Sequence, residues 1–323
     1  MVKRIARIVR VLSPGIYDFT IRRLTSPTLR TLRTLHRLPA ERRMISRNAP
    51  RFAVNIGGRM GMGGLMSWTV RVLVYCDEHN LKPRLIFTNP VYAPVLGEDW
   101  LNCYFERRPE LCDDLGEDPL LRKHYLRQSI NIARRLQPSS RKLTLQRAHD
   151  LFTRYLSFRQ ELVDESNTFC SRNNIGAGTV GVHFRGTDKR LEATVVQWSD
   201  VADGVESQLK KNMSNIFVAT DVPAFLQFMR DRFGSDTVLD LGCQEIFPNS
   251  PAHLTSGDAL VKGSEAIRTI LILSRCGVLV RTRSHLSAWS KILNPGLPTL
   301  VFGNMLHGNF DFPEGLIHTD INE

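Results

Sequence analysis

The densest group of charged and titratable side chains that could take part in catalysis or binding lies in the segment 183–189 (HFRGTDK), at the end of an apolar run. Arg185 and Lys189 supply two cations, and an arginine can grip two phosphate oxygens at once. Asp188 can orient one of these cations, and Glu192 could remove a proton from an attacking hydroxyl. Fixed cations stabilise a departing diphosphate when no metal is present. The segment therefore predicts a site for a phosphorylated ligand, although a surface turn with a satisfied Arg–Asp pair fits the same pattern.

A glycine-rich segment at 57–64 (GGRMGMGG) is the second candidate. Glycines such as Gly58 and Gly61 let the backbone approach a ligand closely, and Arg59 adds a positive charge. The spacing is not that of the GxGxxG dinucleotide fingerprint. We predict a loop that faces a sugar or a phosphate, with a tight turn as the alternative.

The third candidate is the segment 281–285 (RTRSH), between a predicted strand and a predicted helix. Thr282 or Ser284 can cap the helix, and the helix N-terminus can receive a phosphate. Ordinary capping explains the serine equally well, so this segment alone does not decide between the two.

The elements that position the first half of these residues alternate between strand and helix. A strand, the glycine-rich segment, a helix and a second strand form the opening of a βαβ unit. Two further helices follow. The predicted ranges are strands at 51–57 and 84–89 and helices at 65–79, 118–136 and 141–170.

A second and more regular series of strands and helices follows residue 178. Strands that alternate with helices at this spacing indicate a parallel sheet, whose ligands bind beyond the carboxyl ends of the strands. The predicted strands are 179–184, 215–220, 237–241, 277–281 and 299–302. The predicted helices are 200–211, 223–233, 264–276 and one that begins near 285.

The resulting prediction is an α/β protein with two Rossmann-like domains that face a cleft. A basic N-terminal extension covers residues 1–50, an acceptor-side domain covers 51–176, and a donor-side domain covers 177–323. The segment 174–178 (NIGAG) is the predicted hinge.

The net charge of +11 belongs to the N-terminal extension, because residues 1–51 hold 13 of the 43 Lys and Arg but only 2 of the 32 Asp and Glu. The neutral body argues against a nucleic-acid-binding protein. Apolar and basic residues alternate at helical spacing in the extension, which predicts binding of residues 1–45 to an anionic membrane surface. A helix that packs on the body, or a frayed tail, is the alternative.

Six scattered cysteines without a CxxC pair argue against a disulfide scaffold or a zinc site, and no apolar run is long enough for a membrane span. An acidic run at 112–118 does not follow a strand, so it does not fit a metal-binding DxD motif. We expect a cytoplasmic protein that binds peripherally at the inner face of the membrane and needs no metal.

Three segments together resemble the motifs of the α1,6-fucosyltransferase family, in matching order and spacing over about residues 177–290. They are 181–193 (GVHFRGTDKRLEA), 216–226 (IFVATDVPAFL) and 272–284 (ILSRCGVLVRTRS). The segment 57–61 (GGRMG) is similar to the glycine-rich opening of the wider fucosyltransferase superfamily. The α1,6-fucosyltransferase family includes animal enzymes acting on N-glycan cores and rhizobial enzymes acting on chitin-oligosaccharide signals.

The resemblance implies a GT-B-like fold and an inverting, metal-independent transfer of fucose from GDP-fucose to a hydroxyl of a glycan or glycolipid. Carried over by position, Arg185 would hold the β-phosphate, Asp221 would lie near the guanosine, and Ser284 would reach the phosphates. Glu192, or else Asp188, would be the general base. The remaining donor-site residues would be His183, Asp188 and Lys189, to which the segment analysis adds Thr282, Gly58, Arg59 and Gly61.

The chain departs from the family at several positions. Gly186 replaces the second arginine of a pair, and Arg281 and Arg283 are hypothesised to compensate for it. Thr269 falls where the family has an aspartate that binds guanine, and Met62 falls where relatives have an asparagine. Two alternatives therefore stay open: a transferase for another nucleotide sugar, and a protein that binds a sugar nucleotide without turnover.

Overall fold

A computed structural model describes residues 51–56, 60–96, 98–111, 143–186, 193–242, 257–304 and 312–321. The predicted extension and the predicted helix at 118–136 lie outside these residues. Within the described ranges, no helix has the length and apolar character needed to cross a membrane.

The first half begins with the predicted βαβ unit. Strand β1 (Arg51–Ile56), helix α1 (Met62–Glu78) and strand β2 (Lys82–Phe87) follow one another, and β1 pairs with β2 in parallel. Helix α1 is buried over most of its length because it lies between this pair of strands and the helices of the second half.

A short antiparallel sheet and three helices complete the first half. Its elements are α2 (Leu101–Tyr104), β3 (Phe105–Arg107), α3 (Leu145–Tyr155), β4 (Leu156–Phe158) and α4 (Gln160–Arg172). The prediction of one helix over 141–170 is wrong, because β4 interrupts it and pairs with β3. In β4 the side chains of Leu156 and Phe158 are buried while Ser157 between them is less so, which is the alternation of a strand.

The second half is built on a parallel five-stranded sheet, as predicted. Its elements are β5 (Thr179–Phe184), α5 (Trp198–Leu209), β6 (Asn215–Thr220), α6 (Pro223–Phe233), β7 (Val238–Leu239), α7 (Ala259–Leu273), β8 (Val278–Thr282), α8 (His285–Leu293) and β9 (Thr299–Phe302). A 3₁₀ turn at Glu314–Leu316 follows. The strand order is β7-β6-β5-β8-β9. Helix α7 begins five residues before the predicted start because the Asp258 carboxylate caps it, accepting from Leu260 N–H at 2.6 Å.

The strand order places a topological switch point between β5 and β8. From the central strand the chain builds β6 and β7 on one side, and then returns to build β8 and β9 on the other. Crevices at such points, beyond the carboxyl ends of the strands, are where open α/β sheets bind ligands. Every residue of β5 is buried, so this strand is the fixed centre of the sheet.

One hydrophobic core joins the two halves. Ile267 and Ile270 of α7 and Trp289 and Ile292 of α8 pack among the buried side chains of α1, β2 and α3. The Trp289 Nε1–H donates to the Gly63 carbonyl at 2.9 Å. The last helices of the second half therefore support the first half, and the division of the chain at residue 176 stays a prediction.

Candidate active site

The ends of three parallel strands are tied together by Arg185 and Asp221. Arg185 directly follows β5, and its backbone N–H donates to Thr282 Oγ1, at the end of β8, at 2.9 Å. Asp221 directly follows β6, and its Oδ1 accepts the Gly186 N–H at 3.0 Å. The second carboxylate oxygen lies 3.9 Å from Arg185 Nε. The structure thus brings together three residues from separate predicted segments, and places Asp221 against the arginine.

A pocket of about 130 Å³ opens beside Arg185 at this edge of the sheet. Its polar lining is Arg185, Thr194, Thr282 and Arg283, and its apolar lining includes Phe184, Trp198, Val222 and Phe302. Few polar groups compete for a charged ligand there, and electrostatic attraction is stronger in a poorly solvated site. The pocket can therefore bind an anionic group.

One wall of this pocket is held by the residues that follow β9. The Thr194 N–H donates to the Asn304 carbonyl at 2.8 Å, and the Asn304 N–H donates back to Thr194 Oγ1 at 2.9 Å. Ala193 and Val195 flank this reciprocal pair and line the pocket. The chain that follows the predicted base Glu192 is therefore anchored to the sheet.

His183 and Ser284 occupy less accessible positions than the sequence predicts for ligand contacts. His183 lies on β5, is 6% exposed, and is aligned with Arg281 of β8. Ser284 is 2% exposed, and its Oγ accepts the Leu286 N–H at 3.3 Å as the N-cap of α8. The capping alternative for the segment 281–285 is thus confirmed for Ser284, and Thr282 instead binds the Arg185 backbone.

The N-terminal part of helix α1, in the first half of the protein, packs against the N-terminus of α8 at this edge of the sheet. A Cβ atom at Gly63 would lie 2.6 Å from the backbone of both His285 and Leu286, so only glycine permits this approach. Ser67 Oγ lies 3.1 Å from His285 Nδ1. Gly61 is the N-cap of α1, and two helix N-termini, each a positive dipole end, therefore lie close together.

Tyr92 is a residue of this region that the sequence analysis missed. Its hydroxyl accepts the Met62 N–H at 2.9 Å, at the start of α1. Burial raises the pKa of Tyr92 to about 12, against the opposing effects of that hydrogen bond and of the Arg185 charge. The phenol is therefore neutral at physiological pH and lies within electrostatic reach of Arg185. Its only sequence signal is its place three residues after the predicted parallel strand at 84–89.

Arg281 does not face the pocket. It is fully buried; its Nε donates to Ser287 Oγ at 2.9 Å and its Nη2 to the Ser284 carbonyl at 2.8 Å. Both terminal nitrogens bind the Glu314 carboxylate. The hypothesis that Arg281 compensates for the missing second arginine as a ligand contact is wrong, because its hydrogen bonds point into the protein.

Glu314 is the second residue that the sequence analysis missed. Burial alone would raise its pKa, but the charge and hydrogen bonds of Arg281 chiefly, with His285 and Arg283, lower the pKa below its ordinary value. Glu314 is therefore ionised at neutral pH, and it also accepts from Arg283 Nη1 at 3.3 Å.

Five predicted site residues lie outside the described residues: Asp188, Lys189, Glu192, Gly58 and Arg59. Their roles stay predictions. Within the described part of the chain, no three His, Cys, Asp or Glu side chains form a group that could hold a metal ion.

The parallel sheet, its switch-point site and the βαβ unit define a GT-B-like fold of the kind found in fucosyltransferases. A solved structure of NodZ α-1,6-fucosyltransferase soaked with GDP-fucose is similar to this protein with a TM-score of 0.55 and 14% identity, over 79% of this chain and 99% of that chain.

Two further solved structures are more distant. POFUT1 in complex with GDP has a TM-score of 0.47 and 13% identity over 79% of this chain and 99% of that chain. A mutant of Arabidopsis thaliana FUT1 in complex with GDP has a TM-score of 0.45 and 10% identity over 81% of this chain and 73% of that chain. No family model and no curated protein sequence matches the chain.

Proposed function

We propose that the protein is an inverting, metal-independent glycosyltransferase that moves fucose from GDP-fucose to a hydroxyl of a glycan or glycolipid. One observation carries the proposal. Arg185 follows the central strand at the switch point of a fold that resembles NodZ, and Asp221 and Thr282 hold it there. Residues 51–176 would supply the acceptor side and residues 177–323 the donor side.

In the proposed reaction the acceptor oxygen forms a bond to the anomeric carbon of fucose while the bond from that carbon to the diphosphate breaks. The attack comes from the face opposite the leaving group, so the configuration inverts. The proton of the acceptor hydroxyl passes to a carboxylate, for which Glu192 is the sequence prediction. The leaving GDP gains negative charge, which Arg185 stabilises.

The geometry of Arg185 suits this role because the guanidinium is held before the ligand arrives. Asp221 Oδ2 lies 3.9 Å from Arg185 Nε, and the backbone N–H of Arg185 is fixed by Thr282. A preorganised charge stabilises a transition state without reorganisation during the reaction. Asp221 is thus proposed to position Arg185, in addition to any contact with the nucleoside.

Transfer from another nucleotide sugar is the second candidate, and one observation favours it. Thr269 on α7 stands where the family has its guanine-binding aspartate. The missing second arginine bears instead on the alternative of a binder without turnover: a Cβ at Gly186 would lie 2.7 Å from Val222 Cγ2, so that arginine does not fit here without displacing Val222.

The decisive experiment incubates the protein with GDP-fucose and EDTA and measures GDP release with and without acceptor sugars. We expect release that depends on the acceptor and persists in EDTA. If only UDP-sugars protect the protein against thermal unfolding, the fucose assignment fails. If GDP-fucose protects it but no acceptor in a broad glycan panel gives turnover, the protein is a binder.

The basic extension is proposed to hold the enzyme at the cytoplasmic face of a membrane, near a lipid-linked acceptor. The support is the concentration of the positive charge in residues 1–51. Deleting residues 1–45 should reduce sedimentation with vesicles that contain anionic lipid, and should leave GDP release unchanged. Equal sedimentation of the two forms would contradict this role.

A further inference from the structure

Three arginines lie at the strand ends around the pocket. Arg185 directly follows β5, Arg281 lies in β8 and Arg283 directly follows β8. Among the described residues, Asp221 forms an ion pair with Arg185, and Glu314 forms one with each of the other two arginines. Guanidinium groups that border a largely apolar pocket favour an anionic ligand there.

Of the two arginines at the end of β8, Arg283 is the one that borders the pocket. Arg281 is fully buried against Glu314. Arg283 follows β8 directly and lines the same pocket as Arg185, Gly186 and Thr282. Arg185 and Arg283 therefore border one pocket from two neighbouring strands.

The orientation of Arg283 is fixed by contacts away from the pocket. Its Nε donates to the Gly303 carbonyl, at the end of β9, at 3.1 Å. Its Nη1 reaches Glu314 Oε2 at 3.3 Å and the Ile317 carbonyl at 3.5 Å. These contacts limit the rotamers of a long side chain, so less conformational entropy is lost when a ligand binds.

Glu314 is itself firmly placed, which makes it a suitable support. Arg281 holds both of its oxygens, and Arg71 of α1 donates to the carbonyl of the neighbouring Phe312 at 3.0 Å. The carboxylate thus links one arginine that is purely internal to one that borders the pocket.

We propose that Arg283 is a second phosphate-binding cation of this pocket, supplied by β8 in place of the arginine that position 186 does not accommodate, with Glu314 as its positioning residue. The ligand group is the diphosphate of a nucleotide sugar, so the inference rests on the proposed function. Arg185 and Arg283 would approach the diphosphate from different strands.

The test measures dissociation constants for GDP, guanosine and inorganic pyrophosphate by calorimetry, on the full chain and on Arg283→Gln. This variant leaves the Arg281–Glu314 pair intact and balanced, so we expect it to fold. The loss of a charge-assisted contact should weaken binding of GDP and of pyrophosphate about 10- to 100-fold and leave guanosine within about twofold. The matched control is Arg232→Gln, which removes a surface arginine paired with Asp203 and Glu206.

A second variant separates charge from geometry. Arg283→Lys keeps the positive charge beside Glu314 but loses the planar fork, and it should retain part of the pyrophosphate affinity that Arg283→Gln loses. Should Arg283→Gln unfold, a several-fold loss of pyrophosphate affinity in Arg283→Lys with unchanged guanosine binding supports the inference, and full affinity overturns it.

The outcomes separate this inference from the proposed function. Unchanged binding of GDP and pyrophosphate by Arg283→Gln, or an equal loss for guanosine, overturns the role of Arg283 alone. A wild-type protein that binds pyrophosphate but not GDP overturns the GDP donor, and the pyrophosphate constants still decide the role of Arg283. A wild-type protein that binds neither overturns both.

Discussion

Two arginine–carboxylate pairs lie at the ends of neighbouring strands, and they differ in almost every physical respect. Arg185 Nε and Asp221 Oδ2 are 3.9 Å apart, and the side chains are 17% and 8% exposed. Arg281 and Glu314 form a close ion pair at 0% and 4% exposure. The looser pair borders the pocket, where we propose that Arg185 binds the diphosphate, whereas the closer pair is saturated by internal hydrogen bonds. Similar chemistry is thus proposed to serve binding at one strand end, and it stabilises the interior at the next.

The strongest test of this contrast is the removal of one charge from each pair. Glu314→Gln leaves Arg281 buried without its counter-charge, and breaking a buried pair in this way destabilises a protein by about 3–5 kcal/mol. Asp221→Asn should cost about 1 kcal/mol or less, because that pair is looser and partly solvated. Urea unfolding of the two variants measures both free energies. A smaller loss for Glu314→Gln than for Asp221→Asn would contradict the comparison.

For activity, the pair that borders the pocket should matter more than the internal pair. Arg185→Ala should lower kcat for acceptor-dependent GDP release by about 10²–10³-fold or more, the scale for removing one transition-state donor. Its fold should remain, because the Arg185 backbone N–H still binds Thr282. Circular dichroism and steady-state kinetics test the two statements, with Arg232→Ala as the surface control. Near-normal turnover by Arg185→Ala would remove the basis of the proposed function.

The junction between α1 and the N-terminus of α8, next to these strand ends, should be sensitive to a single methyl group. Gly63→Ala forces a Cβ to within 2.6 Å of the α8 backbone and should destabilise the protein by about 1–3 kcal/mol. At Gly64 the nearest atom to such a Cβ is Met60 Cβ at 3.5 Å, so Gly64→Ala meets ordinary contacts. That control should be neutral or stabilising by up to about 1 kcal/mol. Equal thermal midpoints for the two variants would show that the helices separate easily.

A smaller effect is expected in the pH dependence of stability. Arg281 holds the pKa of Glu314 below the ordinary value of 4.5, so the unfolded state takes up a proton first as the pH falls. The stabilising contribution is fully present above pH 4.5 and is lost as the pH falls from there through the folded-state pKa. Urea unfolding between pH 3 and 6 should show this loss in the wild type, and a shallower slope in Glu314→Gln. Parallel slopes would contradict the assignment.

Much of the second half was predictable from local pattern alone. The bounds of β5, β6, α6 and β9 agree with the sequence prediction because the strands are largely apolar runs, and because Pro223 and Gly234 mark the two ends of α6. Arg185 was predictable because it directly follows a buried strand, whereas Asp221, which follows the next strand, was predicted from the family resemblance. The start of α7 and the strand β4 were not predicted, because one depends on the Asp258 cap and the other on pairing with a distant strand.

By itself, then, the sequence determined the class of fold, the succession of strands and helices along the chain, and the side chains available at each strand end. It could not determine which of the arginines in the segment 281–285 borders the pocket. That depended on Glu314, 33 residues further along, whose carboxylate draws Arg281 into the interior. The physical reason is that periodicity is a property of neighbouring residues, whereas the partner of a buried charge is chosen by tertiary packing.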